Sequence, residues 1–156
     1  MTGEHKTSDY TVELEWMPDP ESNYKRMAKL GNTSDNLPEI ILVTPPEFKK
    51  GIPDNWSPEH LFVSSVVACF FTTFVAISDS SNLKLTSLRI RGVGTLEKDA
   101  DGKEAITKID LYPEIIIDES ENVEKARKIA EKTEKNCLIA NSMKSEIIMT
   151  PDIKNA

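Results

Sequence analysis

Between Ser57 and Ser80 the chain carries Leu61, Phe62, Val63, Val66, Val67, Ala68, Cys69, Phe70, Phe71, Phe74, Val75, Ala76 and Ile77, and no charge between His60 and Asp79. Ser57-Pro58-Glu59 is the grammar of a helix start, with Ser as N-cap, Pro at the first helical position and an acid in the first turn. On a helix running to about Ser80 the apolar residues cover nearly every face, and a helix apolar all round must be wrapped on all sides. A chain of 156 residues with a few short strands can hardly do this alone. A second subunit is expected to help, so the sequence predicts a dimer.

The flanking segments read as strands and one further helix. YTVELEWM, residues 10–17, alternates with Tyr10, Val12, Leu14 and Trp16 on one side, the pattern of a half-buried strand. Residues 24–30 alternate weakly and are read as a strand, and EIILVT, residues 39–44, is a β-branched run closed by Pro45-Pro46. A loop, PPEFKKGIPDNW, then leads to the helix and is long enough to line a site. Residues 83–98 and 104–118 alternate on either side of Asp99-Ala100-Asp101-Gly102, a hairpin signal, with Leu88, Ile90 and Val93, then Ile106, Ile109 and Leu111, as the apolar pattern. Residues 118–135 form an amphipathic helix, with Val123, Ala126, Ile129, Ala130 and Thr133 at helical spacing and Asp118-x-x-Glu121 as a capping box. Cys137 ends that stripe, and EIIMTPDI supplies a last strand. The order βββ-α-ββ-α-β predicts one α+β domain over residues 1–156, antiparallel sheets around a long buried central helix, with residues 1–8 as a mobile tail.

Charge and composition exclude several function classes. A net charge of −7 and a pI near 4.9 would repel a phosphate backbone, so nucleic acid is not an expected partner. The N-terminus lacks an apolar signal region and no apolar run is expected to reach the roughly 18 to 20 residues of a membrane span. The chain therefore reads as soluble and cytoplasmic, with no membrane partner. His5 and His60 show no ligand spacing with the cysteines or carboxylates, which leaves no metal site, and no nucleophile elbow or Gly-rich phosphate loop is present. The two cysteines, Cys69 and Cys137, remain open to three readings: a structural staple, two core residues, or a redox couple. A domain of this size needs no staple. In a reducing compartment a disulfide is more often transient and catalytic than permanent.

The segment TPPEFKKGIPDNWSPEHLFVSSVVACFFTTF, residues 44–74, with EKNCLIANSMKSEI, residues 134–147, resembles the OsmC/Ohr family of osmotically inducible and organic hydroperoxide resistance proteins. In that family a Pro-Glu dipeptide opens a long helix, an Ala-Cys-Phe follows ten positions after the Glu, and a second cysteine ends the next helix. Here these are Pro58-Glu59, Ala68-Cys69-Phe70 and Cys137. The resemblance implies an OsmC-like fold, an intertwined homodimer and a thiol peroxidase without cofactor or metal. Cys69 would attack an organic hydroperoxide, Cys137 would resolve the sulfenic acid as a disulfide, and an external dithiol, for which a lipoyl-type dithiol is one candidate, would restore the pair.

The family activates its cysteine with an arginine from an early strand, held by the glutamate of the Pro-Glu motif. Arg26, the only arginine before Arg89, is the match in this chain, and Glu59 is its holder. Ten residues of helix rise put Glu59 and Cys69 roughly 15 Å apart, so a site joining them requires Arg26 and Glu59 from one chain and Cys69 and Cys137 from the other. Phe62, Phe70, Phe71 and Trp56 would form its apolar mouth. The chain departs from the family where Pro commonly follows the second cysteine and Ser stands two residues later: here Leu138, Ile139 and Ala140 follow Cys137. Two alternatives stand beside the peroxidase: a non-enzymatic dimer binding an apolar small molecule, and a one-cysteine redox sensor.

Overall fold

The computed structural model describes residues 8–17, 27–32 and 37–156, which group into two compact units, Met1–Pro58 and Glu59–Ala156. The expected tail over residues 1–8 lies, except for Ser8, outside the described residues, as do the first three positions of the strand expected over 24–30.

The first unit holds an antiparallel sheet in the order β1 (Glu13–Trp16), β2 (Met27–Asn32), β3 (Leu37–Val43). The alternation in β1 predicts a half-buried strand, but Leu14 and Trp16 are exposed along with the glutamates between them. After β3 the chain closes a compact loop: the Ile52 N–H donates to the Thr44 carbonyl at 2.9 Å and the Val43 N–H to the Trp56 carbonyl at 2.9 Å. Gly51 is required at its neck, because a Cβ there would stand 2.0 Å from the Pro45 carbonyl oxygen.

The second unit is a mixed sheet carrying three helices. The long helix α1 spans Pro58–Ser80, with an end that follows from Asn82, which takes φ 50°. This left-handed residue lets the Leu83 N–H reach the Ser78 carbonyl at 2.9 Å and the Asn82 N–H the Asp79 carbonyl at 3.0 Å, a Schellman closure with Leu83 buried beneath it. Strands β4 (Leu85–Lys98) and β5 (Glu104–Ile117) pair antiparallel. Only Gly102 of their connecting Asp-Gly has positive φ, so the turn is not the type I′ that the dipeptide favours; the Asp99 carboxylate holds it by accepting from the Asp101 and Lys103 N–H groups.

Helix α2 (Val123–Asn136) is capped by Asn122, whose side chain accepts the Glu124 N–H at 2.7 Å. The expected Asp118/Glu121 capping box does not form: Asp118 accepts from Ser120, and Glu121 accepts the Lys84 N–H at 3.0 Å and pairs with Lys125. A five-residue helix α3 (Leu138–Ser142) follows, then β6 (Glu146–Met149) and β7 (Asp152–Asn155). Both run parallel to β5 along its free edge, one after the other, which corrects the expectation of purely antiparallel sheets and of a single last strand. A strand reached through an intervening helix returns in the same direction as the one it left, and this is why β6 is parallel.

One face of β5 supplies Ile109, Leu111, Ile115 and Ile117 to the core, α1 supplies Val66, Phe70 and Phe74, and α2 supplies Ala126, Ile129 and Ala130. Phe70 and Phe74 stack with centroids 5.9 Å apart, and full burial of each is worth about 1.5–3 kcal/mol. On β4 the inward positions opposite Leu111 and Ile109 are Gly92 and Gly94, over which Val67 and Val63 of α1 pass closely, while Val93 points away and is exposed. The apolar pattern expected at Leu88, Ile90 and Val93 therefore breaks at Val93. The opposite face of the sheet carries Arg91 over the Tyr112 ring and the Lys108–Asp110 pair.

α1 buries Val66, Phe70, Phe74 and Ser78 within the chain and leaves Phe62, Phe71 and Val75 at 38%, 48% and 37% exposure. By length and composition it also suffices to cross a membrane, so the expectation that no segment reaches that length is corrected. Serine and threonine interrupt its apolar run without adding charge, and its Val66-Phe70-Phe74 stripe packs in the core of this unit.

Candidate functional site

α1 brings Cys69 to the core cluster from one side, and the junction of α2 with α3 brings Cys137 from the other. Both cysteines are free. Cys137 follows α2 at the end of its buried Ala126-Ile129-Ala130-Thr133 stripe, and is 1% exposed. It is also the N-cap of α3, so the chain changes helix at this residue. The first N–H groups of a helix have no partner within it, and Cys137 stands where those of α3 begin.

The two thiols are displaced in opposite directions. For Cys69, burial disfavours the thiolate, yet the Ile139 N–H, the Cys137 thiol, the Thr73 hydroxyl and the Leu138 N–H all donate to its sulfur and together hold its pKa below the ordinary value. For Cys137, burial dominates and pushes the pKa up to about 11, with its bond to Cys69 and repulsion from the Cys69 thiolate adding to the rise. Cys137 is therefore held protonated at neutral pH, and Cys69 is the more acidic of the two.

Of the four residues singled out in the sequence, Cys69 and Cys137 meet. Glu59 stands in the first turn of the same helix as Cys69 and ten residues before it, half-buried, with Oε2 shielded from solvent and without a hydrogen-bond partner among the described residues. Arg26 lies outside the described residues. Of the aromatic residues expected at a mouth, Phe70 is instead a core residue, whereas Phe62, Phe71 and Trp56 are exposed. Sequence reasoning missed Thr73 and the α3 amides. The signal for the amides was present: with Leu in place of Pro, position 138 has an N–H to give.

Among the described residues no group of three or more His, Cys, Asp or Glu side chains is placed to hold a metal. An open groove of about 400 Å³ between the end of α1 and α2, lined by Ile77, Ser81, Asn122, Lys125, Ile129 and Lys132 among others, contains neither sulfur. The chemistry available to the pair is that of a dithiol: a thiolate nucleophile and reversible disulfide formation.

A family model described as OsmC-like protein matches residues 51–152. Among solved structures, an OsmC-like protein of unknown function from Vibrio cholerae is 21% identical, with 93% of this chain and 99% of that one covered and a TM-score of 0.83. An organic hydroperoxide resistance protein from Elizabethkingia anophelis is 18% identical over 97% and 100% of the two chains, TM-score 0.70. The organic hydroperoxide resistance protein OhrB of Bacillus subtilis is 18% identical over 93% and 98%, TM-score 0.61. No curated protein matches the chain.

Proposed function

The chain belongs to the OsmC-like protein family, and on that footing we propose that it is a thiol-dependent peroxidase that reduces organic hydroperoxides to alcohols. The observation that carries this reading is the contact between two free sulfurs whose acidities are driven apart, Cys69 down and Cys137 up.

The Cys69 thiolate attacks the terminal oxygen of the hydroperoxide. An S–O bond forms, the O–O bond breaks, the alkoxide leaves and takes a proton to become the alcohol, and the sulfur is left two electrons oxidised as a sulfenic acid. Oxidation removes the Cys69 thiolate, whose repulsion helps keep Cys137 protonated. The Cys137 thiol is thus easier to ionise once there is a sulfenic acid to attack. Its thiolate displaces hydroxide from the Cys69 sulfur, closing a disulfide, and an external dithiol returns two electrons and two protons by exchange. Arg26 and Glu59 of a second copy complete the site in this proposal. That Glu59 Oε2 has no hydrogen-bond partner among the described residues supports a role for that carboxylate in meeting a donor.

The interaction between the sulfurs supports a two-cysteine cycle over a one-cysteine sensor, because a second thiol stands beside the first. The non-enzymatic reading draws support from the exposed Phe62 and Phe71, which would suit an apolar ligand. One experiment separates them. Reduced protein treated with one equivalent of cumene hydroperoxide should consume it and lose two hydrogens in intact mass. Cys69→Ser should abolish consumption, and Cys137→Ser should allow one turnover and stop at a sulfenic acid. Wild-type protein that leaves the peroxide untouched would overturn the peroxidase and favour ligand binding.

A further inference from the structure

We infer that the groove between the end of α1 and α2 is a binding site for an aliphatic monocarboxylate, with the alkyl chain on Ile77 and Ile129 and the carboxylate held by Lys128 and Lys132. The groove has a volume of about 400 Å³, within the range of small-molecule sites. It lies along the same pair of helices that carries the cysteines, but at a different level. Ile77 stands eight residues after Cys69 on α1, about 12 Å further along the axis, and neither sulfur lines the groove. The site is therefore separate from the cysteines and does not depend on their chemistry.

Two surfaces of the groove select that ligand. Its floor is apolar: Ile129 belongs to the core cluster and Ile77 packs against it, so an alkyl chain laid over them is removed from water. Its rim is basic. Lys125, Lys128 and Lys132 recur at spacings of three and four on α2 and share one face of the helix. On a chain of net charge −7 this is a local reversal of sign. Lys125 is already engaged, its Nζ 3.1 Å from Glu121 Oε2 and donating to the Asn82 carbonyl at 3.0 Å. Lys128 and Lys132 are exposed and, among the described residues, neither makes an ion pair. The carboxylate on the lining, Glu124, meets Arg127 at 3.4 Å. Lysine stems are themselves apolar, so these two side chains extend the wall from the isoleucines up to their ammonium groups. A neutral alkyl ligand would use only the floor and a small bare anion only the rim. An aliphatic carboxylate uses both.

The test is titration of the reduced, intact chain with octanoate, followed through its amide resonances by two-dimensional NMR. The largest shifts should fall on residues 77–81 and 122–132. Lys128→Gln combined with Lys132→Gln keeps good helix formers and removes both charges, and it should raise the octanoate Kd about tenfold, the combined effect of two surface ion pairs. On the wild-type chain, 1-octanol and acetate each carry one half of the ligand's chemistry, and each should bind about tenfold more weakly than octanoate or worse. Octanoate shifts centred on Phe62 and Phe71 instead, or an unchanged Kd in the double variant, would overturn the site. Acetate or inorganic phosphate binding as tightly as octanoate would leave only a cluster of charges, and octanol binding as tightly would leave the lysines no role; either result overturns the proposal. No peroxide enters the measurement, so its outcome stays separate from that of the peroxidase reading.

Discussion

Cys137 serves at once as the last residue of one helical stripe, the N-cap of the next helix and a thiol held protonated by its surroundings. The last of these has a measurable consequence. Its folded pKa of about 11 lies above the ordinary value of 9.0, so between those values the unfolded chain binds fewer protons at this site than the folded one. Its contribution to stability is therefore complete below pH 9 and is lost as pH rises toward 11. Cys69, displaced downward, works in the opposite sense: its contribution is present above the ordinary value and is lost as pH falls through the lowered one. Urea titrations of wild type and Cys137→Ser should converge as pH is raised through that window, and parallel curves would show that the thiol ionises as freely folded as unfolded. Both cysteines were legible in the sequence, Cys69 from its place in Ala-Cys-Phe and Cys137 from the stripe it ends. Their surroundings were not: apart from the N–H that Leu138 has and a Pro would lack, backbone groups carry no side-chain signature.

Among the elements, the contact of α1 with β4 is set by what is missing from the strand. An ideal Cβ at Gly92 would lie 2.5 Å from Val67 Cγ2 and one at Gly94 would lie 2.6 Å from Val63 Cγ2. Since valine is stiff at χ1, Gly92→Ala should force the helix away from the sheet and cost about 1–3 kcal/mol, the usual range for overpacking. Chemical denaturation should show this loss, and Val67→Ala in the same chain should recover part of it. A Gly92→Ala protein as stable as wild type would mean that the helix does not sit this close. These two glycines explain why periodicity misread the strand. An inward glycine leaves no apolar mark, so the pattern jumped to Val93 on the far face. The start of α1 was easier to read, since Ser57-Pro58-Glu59 marks it, whereas α2 begins at Val123 rather than Asp118 and α3 was not expected. The parallel course of β6 and β7 had no local signal at all: strand direction is decided by the crossover, not by the residues of the strand.

At the scale of the whole molecule, the all-apolar helix remains the dominant constraint. The second unit covers its Val66-Phe70-Phe74 stripe and leaves Phe62, Phe71 and Val75 bare. A second copy laid against that face would remove from water two aromatic rings and a valine, each worth about 1.5–3 kcal/mol when fully buried. Phe71→Glu should convert a dimer into a monomer by light scattering while leaving far-UV circular dichroism intact. A wild-type chain that is monomeric at every concentration, or a Phe71→Glu chain that still dimerises, would place the subunit contact elsewhere or remove it. The order of β5 and its two parallel neighbours bears on how the chain is made. During synthesis β5 can pair with β4 as soon as their hairpin emerges, but its other edge waits through α2 and α3 for residues 146–155. For that interval a fourteen-residue strand rich in isoleucine is a nascent sheet with one open side. Chaperone dependence should therefore be concentrated in the interval between the emergence of β5 and that of residues 146–155, a vulnerability that belongs to the chain's birth and vanishes once the sheet is closed.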